Sequence, residues 1–276
     1  MTLPPTDHRP RRRFWVFVVL AVVVVLGGAY AALPLAWRHY EHRKGLEGQS
    51  MVTRTKQGIP GDPINFGLVG TADDIACAFR AAGWQAAAPV TLVTSAKIAG
   101  SVVLRRAYPT APVSALFYDG RREDLAFEKA GDRGARTRHH VRLWRLQGAS
   151  APSEDPRPLW LASASYDKGV GVSHYTLRVT HHIDADLDTE RAFVADALSA
   201  TGLTRSRYEV SGAGPNVNGR NGGGDRYFTD GEVVIETLSA DCRAAPGQAP
   251  KRLANPWQVR LKNQVWRALR PLIRAL

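Results

Sequence analysis

The sequence predicts an α+β domain, a largely antiparallel sheet with packed helices, preceded by one N-terminal transmembrane helix. Three observations lead there. Short runs with alternating apolar residues follow one another from residue 114 to residue 184, the pattern of an antiparallel meander. Capped helical patterns stand before and after that meander, which mixes helix and strand as α+β folds do. Residues 14–37, FWVFVVLAVVVVLGGAYAALPLAW, carry no charge at all.

That apolar segment comes first in the chain. From Trp15 to Trp37 it measures about 33 Å as a helix, against a hydrocarbon core of about 30 Å. The two tryptophans stand where an aromatic belt would anchor its ends. Ala29-Tyr30-Ala31 resembles a signal-peptidase site, but the apolar run continues past it and exceeds the usual h-region. An uncleaved anchor is the favoured expectation. The arginine-rich residues 1–13 then place the N-terminus in the cytoplasm and the body outside it, on the periplasmic side.

Composition narrows the rest. A chain of 276 residues with 44% hydrophobic and 22% charged residues is globular rather than disordered. Its single long apolar segment excludes a polytopic membrane protein. The net charge of +12 gathers at the ends. Arg9, Arg11, Arg12 and Arg13 stand near the start, and residues 251–276 carry seven cations and no acid. The body between is close to neutral. A nucleic-acid binder would carry its basic stripe on the folded body. Basic ends suit an anionic membrane surface better. Cys77 and Cys242 match no metal-ligand spacing, so a disulfide and two free thiols both stand open.

Residues 38–60 are polar and read as a juxtamembrane linker. The main domain is expected over 61–250, starting at GDPINFGLVGT. Ile64, Phe66, Leu68 and Val69 predict a strand that Gly70 ends. Thr71 and Asp74 form a capping box in its weaker Asp form. Ile75, Ala78, Phe79 and Ala82 then make one helical face, which Gly83 terminates. A second helix is expected over 95–106, stopped by Tyr108-Pro109-Thr110-Ala111-Pro112. Strands follow at 114–118, 124–129, 138–146 and 158–167. Asp119-Gly120 is a tight-turn signal between the first two. Residues 147–157 should be an exposed loop. The lone GxG of Tyr166-Asp167-Lys168-Gly169-Val170-Gly171 reads as a turn or bulge. A strand over 175–184 and a helix over 187–200 come next, then strands at RSRYEVSG and EVVIETL. The stretch between them, GAGPNVNGRNGGGD, is too glycine-rich for regular structure. Residues 251–276 form a basic amphipathic helix, with Trp257, Leu261, Val265, Leu269 and Leu272 near helical spacing. It either lies against anionic lipid or packs on the domain, and Pro271 should kink or end it.

Two histidine pairs, RHHV and THHIDADLDTE, carry the chemical interest. Neighbouring side chains on a strand point to opposite faces, so each pair is split. One arrangement puts His139 and His181 together on an apolar face, suited to acid–base work. The other gathers His140, His182, Asp184, Arg142 and Asp124 on a solvent-facing side, suited to a metal or an anion. The simpler reading is cross-strand pairing, with Asp186 capping a helix whose first turn holds Asp188 and Glu190. An EF-hand is excluded, because Thr189 and Ala195 stand where glycine and glutamate are required. No P-loop, nucleophile elbow, zincin or dinucleotide motif is present.

YPTAPVSALFYDGRREDLAFEKA, RHHVRLWRL, YDKGVGV and THHIDADLDTER, after GDPINFGLVGT and in this order, resemble the LssY C-terminal domain family. The resemblance covers about residues 61–210. One departure is Ala185, where the family pattern often has proline. The resemblance implies a domain found on single-anchor proteins or fused to polytopic membrane proteins, under a name linked to type I secretion. It implies no established reaction, and the phosphatase motifs of some fused partners are absent here. The blocks that carry the resemblance contain His139, His140, His181, Asp184 and Asp167, which makes these the candidate catalytic residues. Arg142, Asp124 and Arg122 are the candidate groups for anion binding or cross-strand pairing.

The resulting expectation is a membrane-anchored accessory or binding domain of the cell envelope, with a protein or lipid partner and no nucleic acid. The balance leans against an enzyme. The alternative is a His/Asp-dependent hydrolase, of a phosphoester or similar substrate, with arginine holding the anion. A divalent metal is a candidate cofactor without being the favoured one.

Overall fold

A computed structural model describes residues 9–32, 46, 48–87, 115–131, 134–147, 155–175, 179–210, 218–245 and 247–275. The chain divides into two compact units, Met1–Glu41 and His42–Leu276. In the first, helix α1 (Arg9–Gly27) runs into a π-helical turn at Gly28–Ala32. Gly27 and Gly28 hold the helical ladder weakly, which suits that change of pitch. The apolar side chains from Phe14 to Leu26 are largely exposed. Among the described residues no helix is long and apolar enough to cross a membrane. The expected span 14–37 continues beyond residue 32, outside the described residues.

The second unit begins with strands β1 (Val52–Arg54), β2 (Pro60–Pro63) and β3 (Phe66–Val69), then helix α2 (Ala72–Ala81). Strands β4 (Gln85–Ala86), β5 (Phe117–Tyr118), β6 (Arg121–Arg122), β7 (Leu125–Gly131), β8 (Gly134–Arg145), β9 (Leu159–Val172) and β10 (Val179–Ile183) follow. Helix α3 (Leu187–Ala200) leads to β11 (Thr204–Val210), β12 (Asn218–Arg220), β13 (Arg226–Phe228) and β14 (Val233–Leu238). Strand β15 (Lys251–Arg252) and helix α4 (Trp257–Ala275) complete it.

The described residues form a nine-stranded sheet in the order β15-β11-β14-β3-β9-β8-β7-β4, with β10 also paired to β9. Its pairs are antiparallel except β3 with β14 and β11 with β15. A four-stranded sheet, β2-β1-β5-β6, and the β12-β13 hairpin stand beside it. The large sheet buries both faces. On one, Phe66, Leu68, Val141, Leu143, Ala162 and Ala164 pack under α2 and α3 through Phe79, Val194 and Leu198. On the other, Trp144, Leu161 and Ile235 pack with Leu116, Tyr118 and Met51 of the smaller sheet and its approach.

Local sequence set several of these elements. The expected capping box at α2 is complete: Asp74 N donates to Thr71 Oγ1 at 3.1 Å and Thr71 N donates to Asp74 Oδ2 at 2.9 Å. Gly83 takes the expected left-handed turn, φ +77°. Asp186 caps α3 through Thr189 N at 3.1 Å. Cys77 on α2 and Cys242 form a disulfide, with Cα atoms 6.0 Å apart.

Other expectations need correction. The Asp119-Gly120 turn joins β5 to β6, not to 124–129, because Arg121–Arg122 turns back at once inside the smaller sheet. The GxG segment carries a bulge and no turn: β9 continues through it to Val172, and its register against β10 shifts between Asp167 and Gly169. Glycine suits that stretch because the His182 ring packs on Gly171, where a Cβ would collide with it. Residues 218–220 of the glycine-rich stretch pair with 226–228, just beyond it, to form a hairpin. Strand β1, with buried Met51 before it, lies within the expected linker 38–60. Helix α4 passes through Pro271 to Ala275. Pro271 sits on its exposed side, so the ladder loses one bond there without a buried clash. The helix expected at 95–106 lies outside the described residues.

Helix α4 docks on the domain by its more polar side. Val259 is buried, Trp266 Nε1 donates to Asp188 Oδ2 at 3.0 Å, and Lys262 Nζ donates to Asp230 O at 2.8 Å and pairs with Glu232. Arg270 reaches Asp186 and Thr189. The expected apolar stripe therefore faces away: Trp257, Leu261, Val265, Leu269 and Leu272 are each 46–65% exposed.

Candidate functional site

The histidines fall into three separate settings. Register decides this. In the β8–β9 ladder Arg138 stands opposite Asp167, His140 opposite Ser165 and Arg142 opposite Ser163. Directly opposed residues share a face, so these six side chains form one polar patch. Trp144 and Leu161, one step along, share that face. The patch is thus a polar continuation of a core face, and it is buried rather than solvent-facing.

Ion pairs organise the patch. His140 Nε2 lies 2.7 Å from Asp167 Oδ2, and His181 Nδ1 lies 3.5 Å from the same oxygen. Arg138 pairs with Glu128 at 3.3 Å, and Arg142 with Asp62 of β2 at 3.6 Å. Burial works to raise the Asp167 carboxyl, but His140, His181 and Arg142 overcome it and hold it below the ordinary value. Burial lowers His181 despite Asp167, so its neutral form is favoured. Burial also raises Asp62, against the pull of Arg142. Four polar atoms of the patch are buried without a hydrogen-bond partner among the described residues: Ser163 Oγ, Ser165 Oγ, His140 Nδ1 and Arg142 Nε. Such groups are costly, since each forgoes its bond to water.

His139 occupies the opposite face. Its Nδ1 lies 2.8 Å from Glu190 Oε2 on α3, and its ring stacks on Phe193 with centroids 4.0 Å apart. It does not meet His181, as one expected arrangement required. Burial raises the Glu190 carboxyl even beside His139.

His182 has a third setting. Its Nδ1 lies 2.6 Å from Asp225 Oδ1, in the loop of the β12–β13 hairpin. The β9–β10 ladder slips between His182 and Ile183, which puts Ile183 opposite Asp167. That bulge brings His181, not His182, to the His140 face. Among the described residues one group has metal-ligand spacing: His174, His182 and Asp225 offer atoms all within 4.8 Å of one another.

Three other expected site residues stand apart. Asp184 accepts from Asp186 N at 2.9 Å and shapes the turn into α3. Asp124 accepts from Arg145 N at 2.7 Å and pairs with Arg121, at the far end of β8 from His140. Arg122 pairs with Glu123 at 3.0 Å and is half-exposed. All three serve strand ends and turns. The sequence reading missed Asp62, Glu128, Ser163, Ser165, Glu190, His174 and Asp225. One signal was present: Ser163, Ser165 and Asp167 alternate in LASASYD, a polar face written into an apolar strand.

No curated protein and no solved structure matches the chain. The family model described as LssY C-terminus matches residues 45–233. The match starts before β1 and ends in β14, so it takes in the polar patch and the His182–Asp225 contact. It covers more than half of the sequence, and the chain belongs to the LssY C-terminus family.

Proposed function

We propose that the chain is a membrane-anchored binding domain of a cell envelope, held with its body on the extracytoplasmic side and α4 against anionic lipid. One observation carries this reading: α4 docks by its polar side and turns an apolar stripe outward. A helix stabilised only by its own domain would bury that stripe. Arg260, Arg267 and Arg274 are exposed on the same helix, which carries no acid, so its charge complements an anionic headgroup layer. The apolar run of α1 supports tethering, and the Cys77–Cys242 disulfide supports an oxidising compartment. An envelope protein or a lipid is the partner class, and no reaction is assigned.

The test uses the full chain reconstituted in vesicles of phosphatidylglycerol or phosphatidylcholine containing brominated acyl chains. Trp257 fluorescence should be quenched in the anionic bilayer. The quenching should shrink in Trp257→Phe and in a triple Arg260→Gln, Arg267→Gln, Arg274→Gln variant. Equal fractional quenching of wild type and Trp257→Phe, each measured against unbrominated vesicles of the same lipid, would remove α4 from the membrane. A C-terminal alkaline phosphatase fusion tests sidedness, and an inactive fusion would place the body in the cytoplasm.

A second reading is a hydrolase centred on His140 and Asp167. Its support is the set of unpartnered polar atoms on one face, with Arg142 able to hold an anion. A phosphoester and carboxyester panel tests it. Turnover that survives in His140→Ala would end this reading.

A further inference from the structure

Gly171, His174, His182, Gly224 and Asp225 come together at the end of β9, the middle of β10 and the hairpin loop before β13. Asp225 is the fixed member. Its backbone N–H donates to Asn221 Oδ1 at 2.9 Å, and its Oδ2 accepts from Ile183 N at 3.2 Å. That leaves Oδ1 aimed at His182 Nδ1, 2.6 Å away. The His182 ring lies on Gly171, where a Cβ would strike Nε2 and Cδ2. His174 is placed by its own backbone, which donates to Gly223 O at 2.9 Å. Its Cβ sits where a side chain on Gly224 would be, 2.6 Å from the built position, and Gly224 has φ +90°. Both imidazoles therefore rest on positions only glycine can occupy. The two rings have centroids 5.8 Å apart.

We propose that His174, His182 and Asp225 form a site for a divalent transition metal of the zinc class, with a fourth coordination position open to solvent. Two imidazoles and one carboxylate select this class over magnesium or calcium, which prefer all-oxygen shells. Tetrahedral ligands about 2.1 Å from zinc stand about 3.4 Å from one another. His182 Nδ1 and Asp225 Oδ1, 2.6 Å apart, would open to that spacing as the ion replaces the proton between them, and His174, the exposed member of the three, would turn in to complete the set. Three protein ligands leave room for one water, the arrangement of open rather than sealed zinc sites. The ion would also tie the hairpin loop to β10, because His182 comes from the strand and Asp225 from the loop. Asn221 extends the contact inward, since its side chain also bonds to Asp62 beside Arg142.

The test uses tag-free full-length protein, stripped with a chelator and dialysed against buffered zinc or cobalt. The wild type should bind one equivalent. The cobalt form should show the intense visible bands of a four-coordinate ion, with a higher melting temperature than the stripped protein. His174→Ala should melt like the stripped wild type, because His174 is exposed, yet bind at least about tenfold more weakly and lose the cobalt bands. Asp225→Asn should do the same and raise the mobility of the hairpin in hydrogen exchange. Binding well below one equivalent in the wild type overturns the site. So does one equivalent held equally tightly by His174→Ala.

Discussion

His139 and His140 are neighbours in sequence and point to opposite faces of one sheet. His139 stacks on Phe193 beneath α3 and answers to one acid, Glu190. His140 stands in a buried polar patch with Asp167, Ser165 and Arg142. One face of the sheet is a helix-covered core whose buried polar groups are partnered, His139 with Glu190 and Glu236 with Arg207, Thr204 and Ser199. The other begins as a core around Trp144 and Leu161, then turns polar within one residue pair. A helix-covered face optimises packing. A polar patch with unsatisfied atoms costs stability, and such costs are kept mainly where a ligand or partner uses them.

The comparison can be broken most severely at Asp167. Asp167→Ala leaves His140 and His181 without their shared acceptor and should cost about 3–5 kcal/mol in chemical denaturation at neutral pH. A loss below about 1 kcal/mol would mean that the patch is not organised by this carboxylate. On the helix side the corresponding strap is covalent. Cys77→Ser with Cys242→Ser opens a link across 165 residues and should cost about 3 kcal/mol. An unchanged melting temperature under reducing conditions would show that the disulfide does not constrain α2.

Asp167 on one face and Glu190 on the other should also respond to pH with opposite sign. Asp167 is held below its ordinary 3.8, so its contribution is present above that value and lost as pH falls through its depressed one. Glu190 is raised above 4.5, so its contribution is complete below 4.5 and lost as pH rises through its raised value. Glu190→Gln should flatten the decline above 4.5 without changing the acid limb, and Asp167→Asn should do the reverse. Identical pH profiles for the two variants would erase the distinction. The smallest effect is expected at the serines. Ser163→Ala and Ser165→Ala remove hydroxyls with no partner among the described residues, and stability should change by less than about 1 kcal/mol or rise. A loss of 2 kcal/mol would show that these hydroxyls are bonded in solution.

Much of this was legible from local pattern. Thr71 and Asp74 announced α2, and Asp186 announced α3, because caps are written within four residues. The split of each histidine pair followed from strand alternation alone. Which histidine met which acid did not. His181 reaches Asp167 only because the β9–β10 ladder slips between His182 and Ile183. His182 meets Asp225 across 43 residues, and Asp62 meets Arg142 across two sheets.

By itself the sequence determined the α+β class, the start of each capped helix, the apolar α1 run and the outward stripe of α4 as a stripe. These rest on interactions between residues a few positions apart, where periodicity and capping decide the energy. The tertiary structure alone decided that β3 lies between β14 and β9, that α4 turns its stripe outward, and that the histidines serve three separate settings. Each depends on strand order and register. A slip of one residue carries every side chain to the other face at little local cost, so only the packed whole selects among the alternatives.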